Sequence, residues 1–252
     1  MLKAALIGFY DMRESGPWDA VKKISGFGYR ALEHGGFLLK GDVKDNMQKL
    51  ADLNFGVLTL SSDIDGFKNN LGQIAENAHS IGVKNVTCYW SDAQNYGEAA
   101  KAAENLNSAG ENLRREGLYL CYHNHDHEFK KSFNGAKFFD ILMALTSPEN
   151  VFLNIDLGWA TVGEGPANVP ALIGRVKDRI RLTHFKDFYD LNDRDSFTTL
   201  GTGQVKIQEL IAEVEKIGVE YITVEQDKLH NLGTDDTVLA SYLTLKESGL
   251  VV

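Results

Sequence analysis

The stretch "VFLNIDLGWATVGEGPANVPALIGRVKDRIRLTHFKD", residues 151–187, contains one complete strand, helix, strand unit. Its ends, "VFLNIDLGW" and "IRLTHFKD", are short apolar runs of strand character. The amphipathic segment "NVPALIGRVKD" lies between them. A strand followed by a helix and then another strand makes a parallel pair, because the crossover must return the chain to the same edge of the sheet.

The same unit recurs on both sides. Upstream, "KAALIGFY" leads to "PWDAVKKISGFG", opened by Pro17, and "YRALEH" leads to "VKDNMQKLADLN", where Val43, Met47, Leu50 and Leu53 mark one helix face. "FGVLTLSS" precedes "LGQIAENAHSIG", "VKNVTCYW" precedes "EAAKAAENLNSAGENLRREG", and "LYLCYHNH" precedes "AKFFDILMALT". Downstream, "IRLTHFKD" leads to "KIQELIAEVEKIG" and "YITVEQD" to "TVLASYLTLKESG". Eight such units, about 25 to 40 residues apart, with no linker between them, predict an α/β fold: one (β/α)8 TIM barrel over residues 1–252. A doubly wound open sheet is the alternative. It usually carries a glycine-rich loop after its first strand, and "IGFYDMRESG" offers no GxGxxG.

An apolar content of 43% supports a sizeable core, and a net charge of −9 argues against a partner bound through many phosphates. A small polar substrate or a divalent cation fits this acidic balance better than nucleic acid or a membrane, and a homo-oligomer is compatible with the chain. The amino terminus lacks a signal-peptide pattern, and no run approaches the roughly 18 apolar residues of a membrane span. Cys88 and Cys121 sit in strand-like runs without CxxC spacing, which reads as buried reduced thiols in a cytoplasmic protein.

In a barrel of this kind the chemistry gathers where the strands end. The predicted strand ends carry Glu33 and His34; Tyr89 and Trp90; His123, Asn124 and His125; Asp156, followed by Trp159; His184, Lys186 and Asp187; and Glu225, Gln226 and Asp227. His123, Asp156, His184 and Glu225 belong to four consecutive strands, so barrel closure makes them neighbours. Imidazole and carboxylate together suit one divalent cation such as Mn²⁺, Co²⁺, Mg²⁺ or Zn²⁺. His125 is the alternative to His123 as first ligand. Lys186, two residues beyond His184, is a candidate acid or hydrogen-bond donor, and an ordinary salt bridge to Asp187 or Glu225 is its bland reading. Trp90 and Trp159 could wall a sugar's C–H face, and Asn124 could bind its polar edge. His127 and Glu128 are expected in a loop, and His79 on a helix surface. "GEGPAN" and "LGTGQV" read as capped turns, with a flexible lid or a phosphate cradle as lesser alternatives.

In their order, "YHNHDHEF", "NIDLGWA", "THFKD", "LGTGQVKI" and "VEQD" resemble the xylose-isomerase-like barrels of the sugar phosphate isomerase/epimerase family, and "AVKKISGFGYRALE" is similar to that family's first helix and second strand. The resemblance runs nearly end to end. It implies a mononuclear divalent site with a Glu, Asp, His, Glu ligand set, of which Asp156, His184 and Glu225 match the last three. His123 stands in the first glutamate's place, as in a "YHNH" subgroup. In ketose 3-epimerases of this superfamily two metal-bound glutamates face opposite sides of the substrate carbon, and a histidine removes that symmetric pair. The resemblance therefore implies an isomerase or epimerase-like enzyme acting on a keto- or aldo-sugar, or a polyol-derived ketone, through α-proton abstraction and a metal-stabilised enediolate. Glu225 would be the base, Lys186 or His125 the proton donor, and Glu33 would bind substrate hydroxyls. Dehydratase or lyase chemistry on a keto-sugar is the alternative, as is a barrel that binds a sugar or subunit without chemistry. DNA-repair endonucleases of the same superfamily need more ligands at the early strand ends and a basic surface, which this sequence lacks.

Overall fold

The structure, a computed structural model, describes residues 1–7, 16–230 and 232–252. Residues 8–15, which include the end of the first predicted strand run and most of "IGFYDMRESG", lie outside the described residues. The apolar runs form strands β1 (Lys3–Ile7), β2 (Ala31–Leu32), β3 (Gly56–Val57, resuming after Leu58 as Thr59–Ser61), β4 (Asn85–Cys88), β5 (Tyr119–His123), β6 (Val151–Asp156), β7 (Ile180–Phe185) and β8 (Tyr221–Glu225). All their pairings are parallel. The sheet runs from the first half of β3 through β2, β1, β8, β7, β6, β5 and β4 to the second half of β3. Its two ends are therefore pieces of one strand, and the sheet nearly closes on itself as a barrel.

Strand alternation explains what fills this barrel. Leu6, Leu60, Val86, Leu120, Leu153, Ile155, Ile222 and Val224 are buried on the outward face, against the helices. The inward positions Ala5, Thr59, Thr87, Cys121, Asn154 and Thr223 are small or polar and equally buried. Each outward aliphatic side chain contributes about 1.5–3 kcal/mol through burial, an upper estimate because unfolded chains already hide some surface. The polar interior must instead be satisfied by hydrogen bonds, which converge near the strand ends.

The helices are α1 (Pro17–Phe27), α2 (Val43–Asp52), α3 (Ile64–Asn69), α4 (Leu71–Ser80), α5 (Tyr96–Arg115) and α6 (His127–Lys130). They continue with α7 (Phe138–Leu145), α8 (Leu157–Glu164), α9 (Val169–Val176), α10 (Ile207–Ile217) and α11 (Thr234–Glu247). β6 ends at Asp156, where the sequence reading placed the strand end. The structure adds the helix α8 directly after it, because Asp156 Oδ1 accepts the Trp159 N–H at 2.7 Å and caps that helix at once. Gly158 permits this turn: a Cβ there would lie 2.6 Å from both the Cβ and the carbonyl oxygen of Lys186.

Two short hairpins, Ser132–Phe133 with Ala136–Lys137 and Asp187–Phe188 with Phe197–Thr198, extend the loops after β5 and β7. Cys88 and Cys121 are buried free thiols, and burial pushes both up to about 12. Trp18 packs edge-on against Phe37, and His79 is exposed near the end of α4. No helix among the described residues is long and apolar enough to cross a membrane.

Candidate metal centre

Strand register builds the site. His184 of β7 pairs with Asp156 of β6 and with Thr223 of β8, while His123 of β5 pairs with Asn154 of β6. Residues two apart on a strand share a face, so Asp156 lies above Asn154 and Glu225 above Thr223. His123, Asp156, His184 and Glu225 each offer one ligand atom, and these atoms lie within 4.8 Å of one another. His184 Nδ1 is 2.7 Å from Glu225 Oε2, and His123 Nε2 is 3.9 Å from Asp156 Oδ2.

This donor set fits a divalent cation on two observations. Asp156 Oδ2 is a buried oxygen with no hydrogen-bond partner, in a residue that is 0% exposed. His184 commits Nε2 to Glu33 Oε1 at 3.0 Å, which leaves Nδ1 on the Glu225 side. A histidine whose far nitrogen is held by a carboxylate is the usual arrangement of a metal ligand. Two imidazoles and two carboxylates match Mn²⁺, Co²⁺ or Zn²⁺.

Electrostatics follow from burial. Desolvation lowers the His123 pKa well below 6.5, so its ring is neutral and has a lone pair to offer. Burial opposes charge on His184 as well, yet the Glu33 and Glu225 carboxylates raise it to about 10. Burial raises Asp156 to about 6 against the pull of Lys186. Glu225 would also be raised by burial, but Lys186 and His184 outweigh this and hold its carboxyl well below the usual range.

Lys186 is 1% exposed and stands among carboxylates: Asp227 Oδ2 at 2.8 Å, Glu225 Oε2 at 3.2 Å and Asp156 Oδ2 at 3.4 Å. Desolvation lowers its pKa, and those three carboxylates more than reverse the effect, so it remains an ammonium. Among the suggested salt-bridge partners, Glu225 is one and Asp187 is not. Asp187 instead accepts N–H groups from Phe188, Gly201, Gly203 and Val205. "LGTGQV" thus wraps a carboxylate of its own chain, and it is neither a phosphate cradle nor a free lid. A Cβ on Gly203 would come within 2.3 Å of Asp187 Oδ1.

Three residues expected to contact substrate are buried in the structure. Glu33 is 1% exposed, and its oxygens are taken by Thr223 Oγ1 at 2.7 Å, Asn154 Nδ2 at 2.8 Å, Tyr89 OH at 2.9 Å and His184. It orients His184 by accepting its Nε2–H. Asn124 is 0% exposed and ties β5 to β6 by accepting Asp156 N–H at 3.0 Å and donating to Asp156 O at 3.1 Å. Trp159 is packed under Lys186, with Phe188 and Phe197 against its ring. Trp90 differs from these: it is 51% exposed and stands against His125 and His127.

His125 is half-buried beside His123, with ring centroids 5.0 Å apart, and desolvation lowers it to about 3. His127 and Glu128 are not in a loop. They open α6, and Glu128 is fully buried, accepting Tyr122 OH at 2.6 Å and His125 N–H at 2.8 Å. Burial raises Glu128 to about 8. A cavity of about 610 Å³ opens over β1–β3, lined by His34, Phe37, Lys40 and Ser61, and it touches the ligand cluster's surroundings through Glu33.

The residues missed as supports were Asn154 and Thr223; Tyr89 was placed at a strand end, without its hydrogen bond to Glu33. Asn154 and Thr223 lie two positions before a ligand on the same strand, and that spacing was the available signal.

The sequence profile of the xylose isomerase-like TIM barrel matches residues 27–240, and the chain belongs to that family. Among solved structures it is similar to a sugar phosphate isomerase/epimerase from Parabacteroides distasonis, with TM-score 0.79 and 18% identity over 96% of this chain and 94% of that one. It is also similar to the probable 3-DHS dehydratase AsbF from Bacillus anthracis, with TM-score 0.77 and 15% identity over 97% and 99%. A third is the IOLI protein with a binding zinc atom, with TM-score 0.73 and 12% identity over 98% of each chain. No curated protein matches the chain.

Proposed function

We propose that this barrel is a divalent-metal-dependent enzyme that removes the proton α to a carbonyl on a non-phosphorylated carbohydrate, isomerising or epimerising it. The observation that carries the reading is the meeting of His123, Asp156, His184 and Glu225 around one point, with the Lys186 ammonium 3.2 Å from Glu225. A cation held there supplies Lewis-acid polarisation of the substrate carbonyl.

The remaining work belongs to side chains. Glu225 is ionised at working pH and accepts the α-proton. Lys186 is protonated and donates to the oxygen on which negative charge grows. Glu33, itself held by Asn154 Nδ2, fixes the His184 ring, and Trp90 offers an exposed apolar face at the rim. The metal-binding IOLI structure and the isomerase/epimerase neighbour agree with this class of chemistry.

Dehydration of a keto-sugar is the second reading. It is favoured by His123, which leaves one carboxylate base where a two-base epimerase needs a pair, and by a lysine acid beside that base. The test is metal analysis of the purified protein, then solvent deuterium uptake by a panel of aldoses, ketoses and keto-polyols. Uptake at the α carbon, lost in Asp156→Ala together with the metal of this site, is expected. Full metal occupancy in Asp156→Ala, or no uptake from any panel member by the metal-loaded protein, would refute it.

A further inference from the structure

His127, Glu128 and His125 form a second cluster that shares no residue with the first. His127 Nε2 is 2.8 Å from the carbonyl oxygen of Ser91. A carbonyl only accepts, so Nε2 carries hydrogen and, in the neutral ring, Nδ1 carries a lone pair. That Nδ1 faces Glu128 Oε2 at 3.2 Å. Glu128 already accepts from Tyr122 OH and from the His125 backbone N–H. The His127 Nδ1 lone pair and Glu128 Oε2 therefore meet in a buried place with either a proton or a larger cation between them.

A proton would serve only that pair. The third member indicates a larger cation: His125 Nδ1, like His127 Nδ1, is buried without a hydrogen-bond partner, and one ligand atom from each of the three residues lies within 4.8 Å of the others. The 3.2 Å between His127 Nδ1 and Glu128 Oε2 is also the spacing of two ligands on one ion. Two ligands each about 2.0–2.1 Å from a tetrahedral zinc stand roughly 3.3 Å apart. Anchoring of the far His127 nitrogen on a backbone carbonyl is the usual support of a metal-binding histidine.

We infer that His125, His127 and Glu128 form a second divalent-cation site at the barrel mouth, with a two-imidazole, one-carboxylate set suited to Zn²⁺ or Co²⁺. Trp90 stands over it, its ring centroid 5.0 Å from that of His125 and 4.6 Å from that of His127, and its exposure leaves the ion a route from solvent. With His125 engaged as a ligand, Lys186 is the proton donor of the neighbouring site.

The test titrates metal-stripped protein with Co²⁺ alone, reading bound equivalents and quenching of tryptophan fluorescence. Wild type takes up two equivalents. Asp156→Ala keeps one, with the quenching that Trp90 reports, and His127→Asn also keeps one, without that quenching. His125→Asn is the second variant should His127→Asn lose its fold by circular dichroism. The Asp156→Ala arm is independent of the first cluster, so failure of either site shows separately. If Asp156→Ala binds no Co²⁺ while keeping the wild-type circular dichroism, or if His127→Asn and His125→Asn bind as much as wild type, a shared proton is all that the cluster holds and the inference is overturned.

Discussion

Glu33→Gln should weaken both metal binding and the fold, by amounts that the geometry sets. The carboxylate receives His184 Nε2 and Thr223 Oγ1 on Oε1, and Asn154 Nδ2 and Tyr89 OH on Oε2. A glutamine must place its NH₂ on one side or the other. The hydroxyl of Thr223 or Tyr89 can rotate to accept from it, but His184 Nε2–H cannot, and the Asn154 amide can accept only by flipping its unpartnered Oδ1 into place, which takes its NH₂ away from this acceptor. In either arrangement one buried donor therefore loses its acceptor. A hydrogen bond to a charged acceptor contributes about 1.5–3 kcal/mol, and a stranded buried donor costs about 1–3 kcal/mol. Relief of one buried charge offsets part of this, leaving a loss of about 3 kcal/mol. At about 2–4 °C per kcal/mol for a chain of this size, Tm falls by about 6–12 °C in calorimetry of the metal-free protein. Loss of the carboxylate behind His184 lowers metal affinity about 10–100-fold in a competition titration with a chelator. Thr223→Val, which removes one donor and no charge, should leave metal affinity unchanged. If Glu33→Gln bound metal within twofold of wild type, Glu33 would not be orienting His184.

Lys186→Met should lower kcat by about 10²–10⁴ with little change in KM, as for loss of a positioned acid, and should hold metal at least as tightly because a competing positive charge has gone. Metal loss in step with activity would show that lysine to be structural instead. Asp187→Asn removes the charge that gathers the backbone N–H groups of Phe188, Gly201, Gly203 and Val205, so it should cost about 1.5–3 kcal/mol and make the 199–205 segment susceptible to protease. An unchanged Tm and digestion pattern would contradict that anchoring role. Cys88 and Cys121, pushed up to about 12, are roughly one part in ten thousand thiolate at pH 8. Native protein should resist iodoacetamide at pH 8 until it is denatured, and rapid labelling of either cysteine would refute their burial.

The order of strands and the face on which chemistry sits were legible in the chain because both follow from local pattern. Apolar runs alternating with amphipathic segments require parallel crossovers, and "YHNH", "NID", "THFK" and "VEQ" put polar residues where those runs end. His123, Asp156, His184 and Glu225 could be grouped without a structure, since consecutive strands are neighbours in a closed sheet. Three features needed the tertiary structure. Glu33 contacts His184 from 151 positions away, across a barrel whose register no local pattern states. Asn124 spends both ends of its amide on the backbone of β6, which only the pairing of those strands reveals. Glu128 is buried because Tyr122 and the turn into α6 enclose it, although its sequence neighbours read as a polar loop. Periodicity reports which way a side chain points from its own strand. What that side chain meets depends on how distant strands are staggered around the closed barrel, and that is fixed only when the whole sheet folds.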